Sequence, residues 1–298
     1  MQIFKTIILS IVLIINLNAE ELKYEKPELF DFIYNVDDDY KEVYKQSIAP
    51  DNLSMWAGLT VSTLLLLHYD KEILDEAQRI GSRLGISQDG ESGMKVAFNI
   101  GQFPVNLPGD NGSLLYFIGD GITHLSIMSG FFIHGMLSDD NKSLSVSSQL
   151  AEGLLDVAIA TQTLKHITGR ESPTHSSTST GKWRWFPNQK KYHESIPKYD
   201  AFPSGHLATT MLTVTVLAEN YPENAYIKPV GYGFMTLLGF QMMNNGVHWA
   251  SDYPLGIAIG YAFGKIVSNR ERNKAKKGWS LTPIINNESN GLAMNYKF

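Results

Sequence analysis

Three short segments hold the side chains of this sequence best suited to chemistry. The first is Tyr199-Asp200-Ala201-Phe202-Pro203-Ser204-Gly205-His206, a loop that breaks into a helix. Pro203 disfavours helix in the residue before it, Ser204 is a good N-cap, and Gly205 lets a ligand approach the backbone. A helix start carries unpaired N–H groups and partial positive charge, which makes it a natural seat for a phosphate. The plain alternative is a capped helix with a chance histidine. The second segment is Gly246-Val247-His248-Trp249-Ala250-Ser251-Asp252-Tyr253-Pro254. There a histidine precedes a carboxylate by four residues, so a helix puts both on one face and a turn still lets them meet. A carboxylate bonded to one ring nitrogen fixes the tautomer and leaves the other nitrogen free to attack. Asp252 could equally cap a helix starting near Pro254, and the two roles are compatible. The third segment, Lys165-His166-Ile167-Thr168-Gly169-Arg170-Glu171-Ser172-Pro173, brings cations to the end of a helix.

Position must select among eight histidines. The sequence has no His-Glu-x-x-His, no Gly-x-Ser-x-Gly and no Gly-x4-Gly-Lys-Ser/Thr. Zinc-protease, serine-hydrolase and P-loop chemistry therefore lack their signatures.

In order and spacing the three segments resemble the type 2 phosphatidic acid phosphatase family, which shares its helical core with bacterial acid phosphatases and vanadium haloperoxidases. The family pattern is Lys-x6-Arg-Pro, Pro-Ser-Gly-His, then Ser-Arg-x5-His-x3-Asp. Here it reads Lys165-x6-Ser172-Pro173, a complete Pro203-Ser204-Gly205-His206, and Gln241-Met242-x5-His248-x3-Asp252. The resemblance covers roughly residues 110–270 and implies an all-α helical bundle. It further implies that His248 is the nucleophile, forming a phosphohistidine, and that Asp252 orients it. His206 becomes the acid for the leaving alkoxide and then the base for water. Ser204 and the Gly205 N–H hold phosphate oxygens, and Lys165 neutralises charge. No metal or other cofactor is implied; vanadate enters as an inhibitor.

Both family arginines are missing, with Ser172 and Met242 in their places. Arg170 and Arg184 are the candidates to restore the charge, with Lys190 and Lys191 behind them. The expected activity is hydrolysis of a phosphate monoester or diphosphate, soluble or lipid-linked. A vanadate-dependent haloperoxidase on the same core and a catalytically weak envelope binding protein are the alternatives.

The elements that must position these groups read as helices. The chain has 298 residues, 43% hydrophobic and 18% charged, enough for a substantial core. A net charge of -5 gives no field that draws nucleic acid, and the absence of cysteine removes disulfides and thiolate chemistry. Lys5, the apolar run Thr6 to Ile15 and Leu17-Asn18-Ala19 read as a signal peptide over 1–19, hence an exported, periplasmic protein for which peripheral membrane contact stays open. A polar lead-in follows over 20–50, a helical domain over 51–278 and a tail over 279–298. Helices are expected over 52–68, 70–83, 113–136, 145–168, 205–220, 228–244 and 254–272. Residues 171–202 form a long loop with the basic, aromatic run Lys182-Trp183-Arg184-Trp185-Phe186, the length of an active-site lid. Strand signals are confined to a closing hairpin, Leu281 to Ile285 with Leu292 to Phe298.

Overall fold

The computed structural model describes residues 24–28, 30–89, 93–101, 103–276, 278–285 and 290–297. The expected signal peptide over 1–19, the first residues of the lead-in, residues 286–289 and Phe298 lie outside them. In chain order the elements are α1 Asp31–Tyr34, α2 Val36–Ser47, α3 Leu53–Arg83, β1 Met94–Ile100, β2 Phe103–Pro108, α4 Asn111–Phe117, α5 Gly121–Ser138, α6 Asn141–Thr168, α7 Gln189–Glu194, α8 Gly205–Asn220, α9 Ile227–Asn244, α10 Tyr253–Lys276, β3 Gly278–Ile285 and β4 Asn290–Lys297. The fold is all-α, with two short antiparallel strand pairs.

Helices α6, α8 and α10 make the core that carries the site. Val146, Leu150 and Val157 of α6 pack with Ala208, Leu212 and Val216 of α8 and with Phe263 and Val267 of α10. Contact is close because α10 presents Gly256, Gly260 and Gly264, one turn apart, to α8. A Cβ on Gly256 would stand 2.4 Å from the Ser204 carbonyl oxygen, and one on Gly260 would stand 2.1 Å from that of Ala208. Only a bare backbone lets α10 lie this near the first turns of α8.

Several elements differ from the sequence-based expectation. The expected helices 52–68 and 70–83 are one, Leu53–Arg83, since nothing between His68 and Asp70 breaks it. The stretch 113–136 is two helices, because the Asp120 side chain accepts the Ile122 N–H and starts α5 anew. The described lead-in from Lys26 onward lies in the helical unit, Lys26–Asn269, and carries the helices Asp31–Tyr34 and Val36–Ser47. Asn35 donates to Glu152, the Tyr40 hydroxyl donates to the Asp156 carbonyl, and Tyr40 and Val43 pack on the core. A hairpin stands at 94–108, although strand signals were expected only in the closing hairpin. Its period-two pattern Val96, Phe98, Ile100 and Phe103, Val105, Leu107 is that of paired strands, turning at Gly101 with φ 62°. The expected closing hairpin is present: β3 and β4 pair from Gly278 with Lys297 to Ile285 with Asn290.

No described helix is long and apolar enough to cross a membrane. Large apolar side chains nevertheless face outward on three elements: Leu64 and Leu65 on α3, Ile133 and Leu137 on α5, Val230 and Phe234 on α9.

Candidate active site

Backbone hydrogen bonds join the three motif segments. Gly169 ends α6 in the left-handed region (φ 52°), and its N–H donates to the Lys165 carbonyl. A Cβ there would lie 2.3 Å from the Arg184 carbonyl oxygen, so glycine is required by both its angle and its neighbour. The chain then runs beside the octet: the Ala201 N–H donates to the Arg170 carbonyl at 3.0 Å. The Ser204 N–H donates to the Asp252 carbonyl at 3.0 Å, and the Trp249 indole N–H donates to the Glu171 carbonyl at 2.8 Å. The loop 171–202 thus closes over the site, carrying α7 and two 3-10 turns, Pro173–His175 and Ile196–Lys198.

His248 is 1% exposed. Its Nδ1 lies 2.7 Å from the Ala201 carbonyl oxygen. A carbonyl only accepts, so Nδ1 carries a proton, which in the neutral tautomer leaves the lone pair on Nε2. That Nε2 is buried and has no hydrogen-bond partner. The His206 ring lies across from it, with centroids 5.6 Å apart and planes at 75°. His206 opens α8 beside Gly205, behind the Ser204 N-cap, whose Oγ accepts the Leu207 N–H. The first-turn amides of α8 have no intrahelical acceptor. Lys165, 7% exposed, ends α6 nearby: its Nζ would lie 3.9 Å from a Cβ on Gly205, and it pairs with Asp200 at 3.7 Å. Burial, then the neighbouring His248, Lys165 and His124, hold His206 well below the ordinary imidazole range, so at rest it is neutral. Tyr116 meets His206 edge-on at 5.0 Å, and Tyr253 meets His248 at 6.5 Å. Burial, with the charges of Asp252 and Asp70 behind it, pushes the Tyr253 phenol well above its usual range.

The two candidate arginines stand elsewhere than a phosphate-facing position. Arg170 is fully buried. It donates to Asp252 Oδ1, to Ser251 Oγ at 2.7 Å, to Asp70 Oδ2 at 2.6 Å and twice to the Thr180 carbonyl. All five guanidinium N–H groups are thereby engaged. Arg184 donates to Glu171 at 2.5 Å and to the Lys198 carbonyl, so it ties down the loop. Burial alone would raise Glu171, but the Ser177 N–H, Arg184 and the Lys182 N–H together hold its carboxyl down to about 2. At the positions without arginine, Ser172 is buried with its N–H on the Pro197 carbonyl. Met242 is fully buried against Leu207 and Leu238.

Asp252 stands close to His248 but is shared. Its Oδ2 accepts the Trp249 N–H at 2.8 Å and lies 3.4 Å from His248 Nδ1. The nearer acceptor for that ring is the Ala201 carbonyl, which no residue pattern announces. Asp70 of α3 also went unread. It accepts the Ser251 N–H at 3.0 Å and the Ser251 hydroxyl at 2.6 Å, besides Arg170. Burial raises its carboxyl above the usual range against these partners. Its one signal was register, because Asp70, Leu74, Ala77 and Gly81 form the buried stripe of α3.

The helical bundle thus sets two neighbouring imidazoles beside a capped helix start, an arrangement that can seat an anion next to a nitrogen nucleophile. Residues 148–276 match the family model described as PAP2 superfamily. The matched segment spans all three motifs. No curated protein and no solved structure matches the chain. The match supports a phosphatase-type activity.

Proposed function

We propose that the protein is a metal-independent phosphatase acting through a phosphohistidine on His248. The observation that carries this reading is the buried Nε2 of His248, without a hydrogen-bond partner among the described residues, on a ring that packs edge-on with that of His206 at the start of α8. In the first step Nε2 attacks phosphorus and the P–O bond to the leaving group breaks, while His206, protonated by the acidic proton that a monoanionic ester brings, passes that proton to the alkoxide. In the second step water attacks the phosphohistidine, the N–P bond breaks, and His206 takes the water proton. Ser204, the first amides of α8 and Lys165 hold the equatorial oxygens. Among the described residues no three His, Asp or Glu side chains converge to hold a metal. No observation favours the haloperoxidase alternative: a permanently held vanadate needs several cationic donors, and Arg170 and Arg184 already serve Asp70, Asp252 and Glu171.

An apolar groove of about 580 Å³, lined by Leu207, Met211, Tyr232, Phe240, Tyr253 and Ile257, starts at residues adjoining His206 and Asp252. Its lining favours a substrate with a hydrocarbon tail over a small soluble ester. The test is turnover of a chromogenic phosphate monoester, and of a lipid phosphate in mixed micelles, with and without a chelator. His248→Ala should lower kcat at least about a thousandfold. Wild-type protein quenched during turnover should carry acid-labile, base-stable phosphate. Retained activity in His248→Ala would falsify the mechanism.

A further inference from the structure

We propose that Asp70 is a positioning residue of this site, acting through Arg170 to set where Asp252 stands against His248. The inference rests on the phosphohistidine reading for its kinetic consequence and on geometry for everything else. Asp70, Arg170, Ser251 and Asp252 form one buried chain of contacts, and none of them reaches solvent: Ser251 and both carboxylates are 0% exposed, as is Arg170. Arg170 lies between the two acids, with Nη2 on Asp70 Oδ2 and Nη1 on Asp252 Oδ1. Ser251 closes the chain. Its Oγ accepts from Arg170 Nη1 at 2.7 Å and donates to Asp70 Oδ2 at 2.6 Å, while its N–H donates to Asp70 Oδ1. Trp183 and Trp249 flank the guanidinium at 4.9 and 5.5 Å and keep water from it.

The physical consequence follows from sharing one cation between two anions. With Asp70 ionised, Arg170 divides its attraction, and Asp252 Oδ2 stays available to the Trp249 N–H and to His248 Nδ1. Without the Asp70 charge, the whole pull of a desolvated guanidinium falls on Asp252. Asp252 then moves toward Arg170 and away from the imidazole. The His248 ring loses the second acceptor that steadies it beside the Ala201 carbonyl, and its Nε2 lone pair points less well at phosphorus. Asp70 itself touches neither substrate nor reacting atoms. It comes from α3, an element outside the three motif segments, and packs on the turn Ala250–Asp252.

The experiment compares full-length wild type with Asp70→Asn, Arg170→Gln and the double variant. The first readout is kcat and KM on the chromogenic monoester. The second is the Nδ1–H proton resonance of His248 in protein labelled with ¹⁵N-histidine, assigned by its loss in His248→Asn. For Asp70→Asn we expect kcat to fall about 10- to 100-fold with KM within about threefold, the signature of a misaligned group rather than a lost binding contact. The Nδ1–H resonance should move upfield as its acceptors weaken. In the Arg170→Gln background the Asp70 change should have no further effect on kcat, since the two residues act in series. A kcat within twofold of wild type together with an unmoved resonance overturns the proposal, whatever happens to the melting temperature. Should Asp70→Asn fail to fold, Ser251→Ala removes the Oγ link without removing a charge. It should give the same upfield shift with a smaller kcat loss, and an unmoved resonance there overturns the proposal equally. If the wild type hydrolyses no phosphate ester, the functional reading fails, and the resonance alone decides on Asp70.

Discussion

Because every N–H of Arg170 faces a protein acceptor, a ligand in the site meets that cation only through Asp252. Lys165 is differently placed. It stands next to Gly205, and its one ion pair, to Asp200, is a long 3.7 Å. The two cations should therefore fail in different ways. Arg170→Ala leaves Asp70 and Asp252 buried without their counter-ion, which destabilises by about 3–5 kcal/mol. Under steady-state kinetics on the chromogenic ester it should lower kcat far more than it raises KM. Lys165→Ala should raise KM about tenfold or more with little loss of stability, since it removes a contact to phosphate oxygens. The reverse pattern, a KM effect at Arg170 and a stability effect at Lys165, would reassign the two. The candidate side chains His206, His248, Ser204 and Lys165 were legible because each sits in a spaced motif. The groups that hold them were not. The Ala201 carbonyl belongs to the backbone, and Asp70 lies far away in the chain with only its place on the α3 stripe to mark it.

At the scale of elements, two close approaches decide whether the site assembles. Along α10, Gly256 and Gly260 let the helix ride on the first turns of α8, where Ser204 and His206 sit. Gly260→Ala puts a methyl 2.1 Å from the Ala208 carbonyl, so α10 must shift outward. Overpacking of this kind costs about 1–3 kcal/mol. Denaturant unfolding should show that loss, together with reduced kcat from the displaced α8 start; unchanged values for both would mean the helices can part freely. The loop over the site is held by Glu171, whose carboxyl is held down from 4.5 to about 2. A carboxylate with a depressed value in the folded state stabilises above its unfolded value and loses that contribution as pH falls. The loss runs from about 4.5 toward 2 and amounts to about 3 kcal/mol at most. His124, buried between α5 and α8 with hydrogen bonds to Thr210 and Thr213, is pushed by burial from 6.5 down to about 4. It stays neutral in the folded state while the unfolded chain takes up a proton, so it too destabilises on acidification. Glu171→Gln should lower the melting temperature at pH 7 and flatten its fall below pH 4.5; a parallel fall in both proteins would place the acid sensitivity elsewhere. The long helices from α6 to α10 were legible from their apolar runs. The 94–108 hairpin carried its own alternation, but Gly and turn residues around it masked the pattern, and the continuity of α3 depended on a polar junction that packing overrode.

For the molecule as a whole, charge sets which form of substrate the site accepts. The chain carries a net charge of -5. Within the site, the two cations Lys165 and Arg170 face three carboxylates, Asp200, Asp70 and Asp252. A phosphate dianion entering such a site meets repulsion that a motif with two more arginines would have cancelled. A singly protonated phosphate ester meets less, and it also brings a proton. That proton matters because His206 is neutral at rest, held well below 6.5 by burial and its neighbours, and must be protonated before it can release the alkoxide. The second ionisation of a phosphate ester lies near 6. Above it the monoanion falls about tenfold per pH unit, and kcat/KM should fall with it between pH 6.5 and 8.5. An ester analogue with an electron-withdrawing group that lowers its second ionisation by about one unit should move the whole limb down by about one unit. A limb fixed by a group of the protein would stay where it was. A profile flat from pH 6.5 to 8.5 for both esters would mean that the dianion is taken after all, with Lys165 released from Asp200 to meet it.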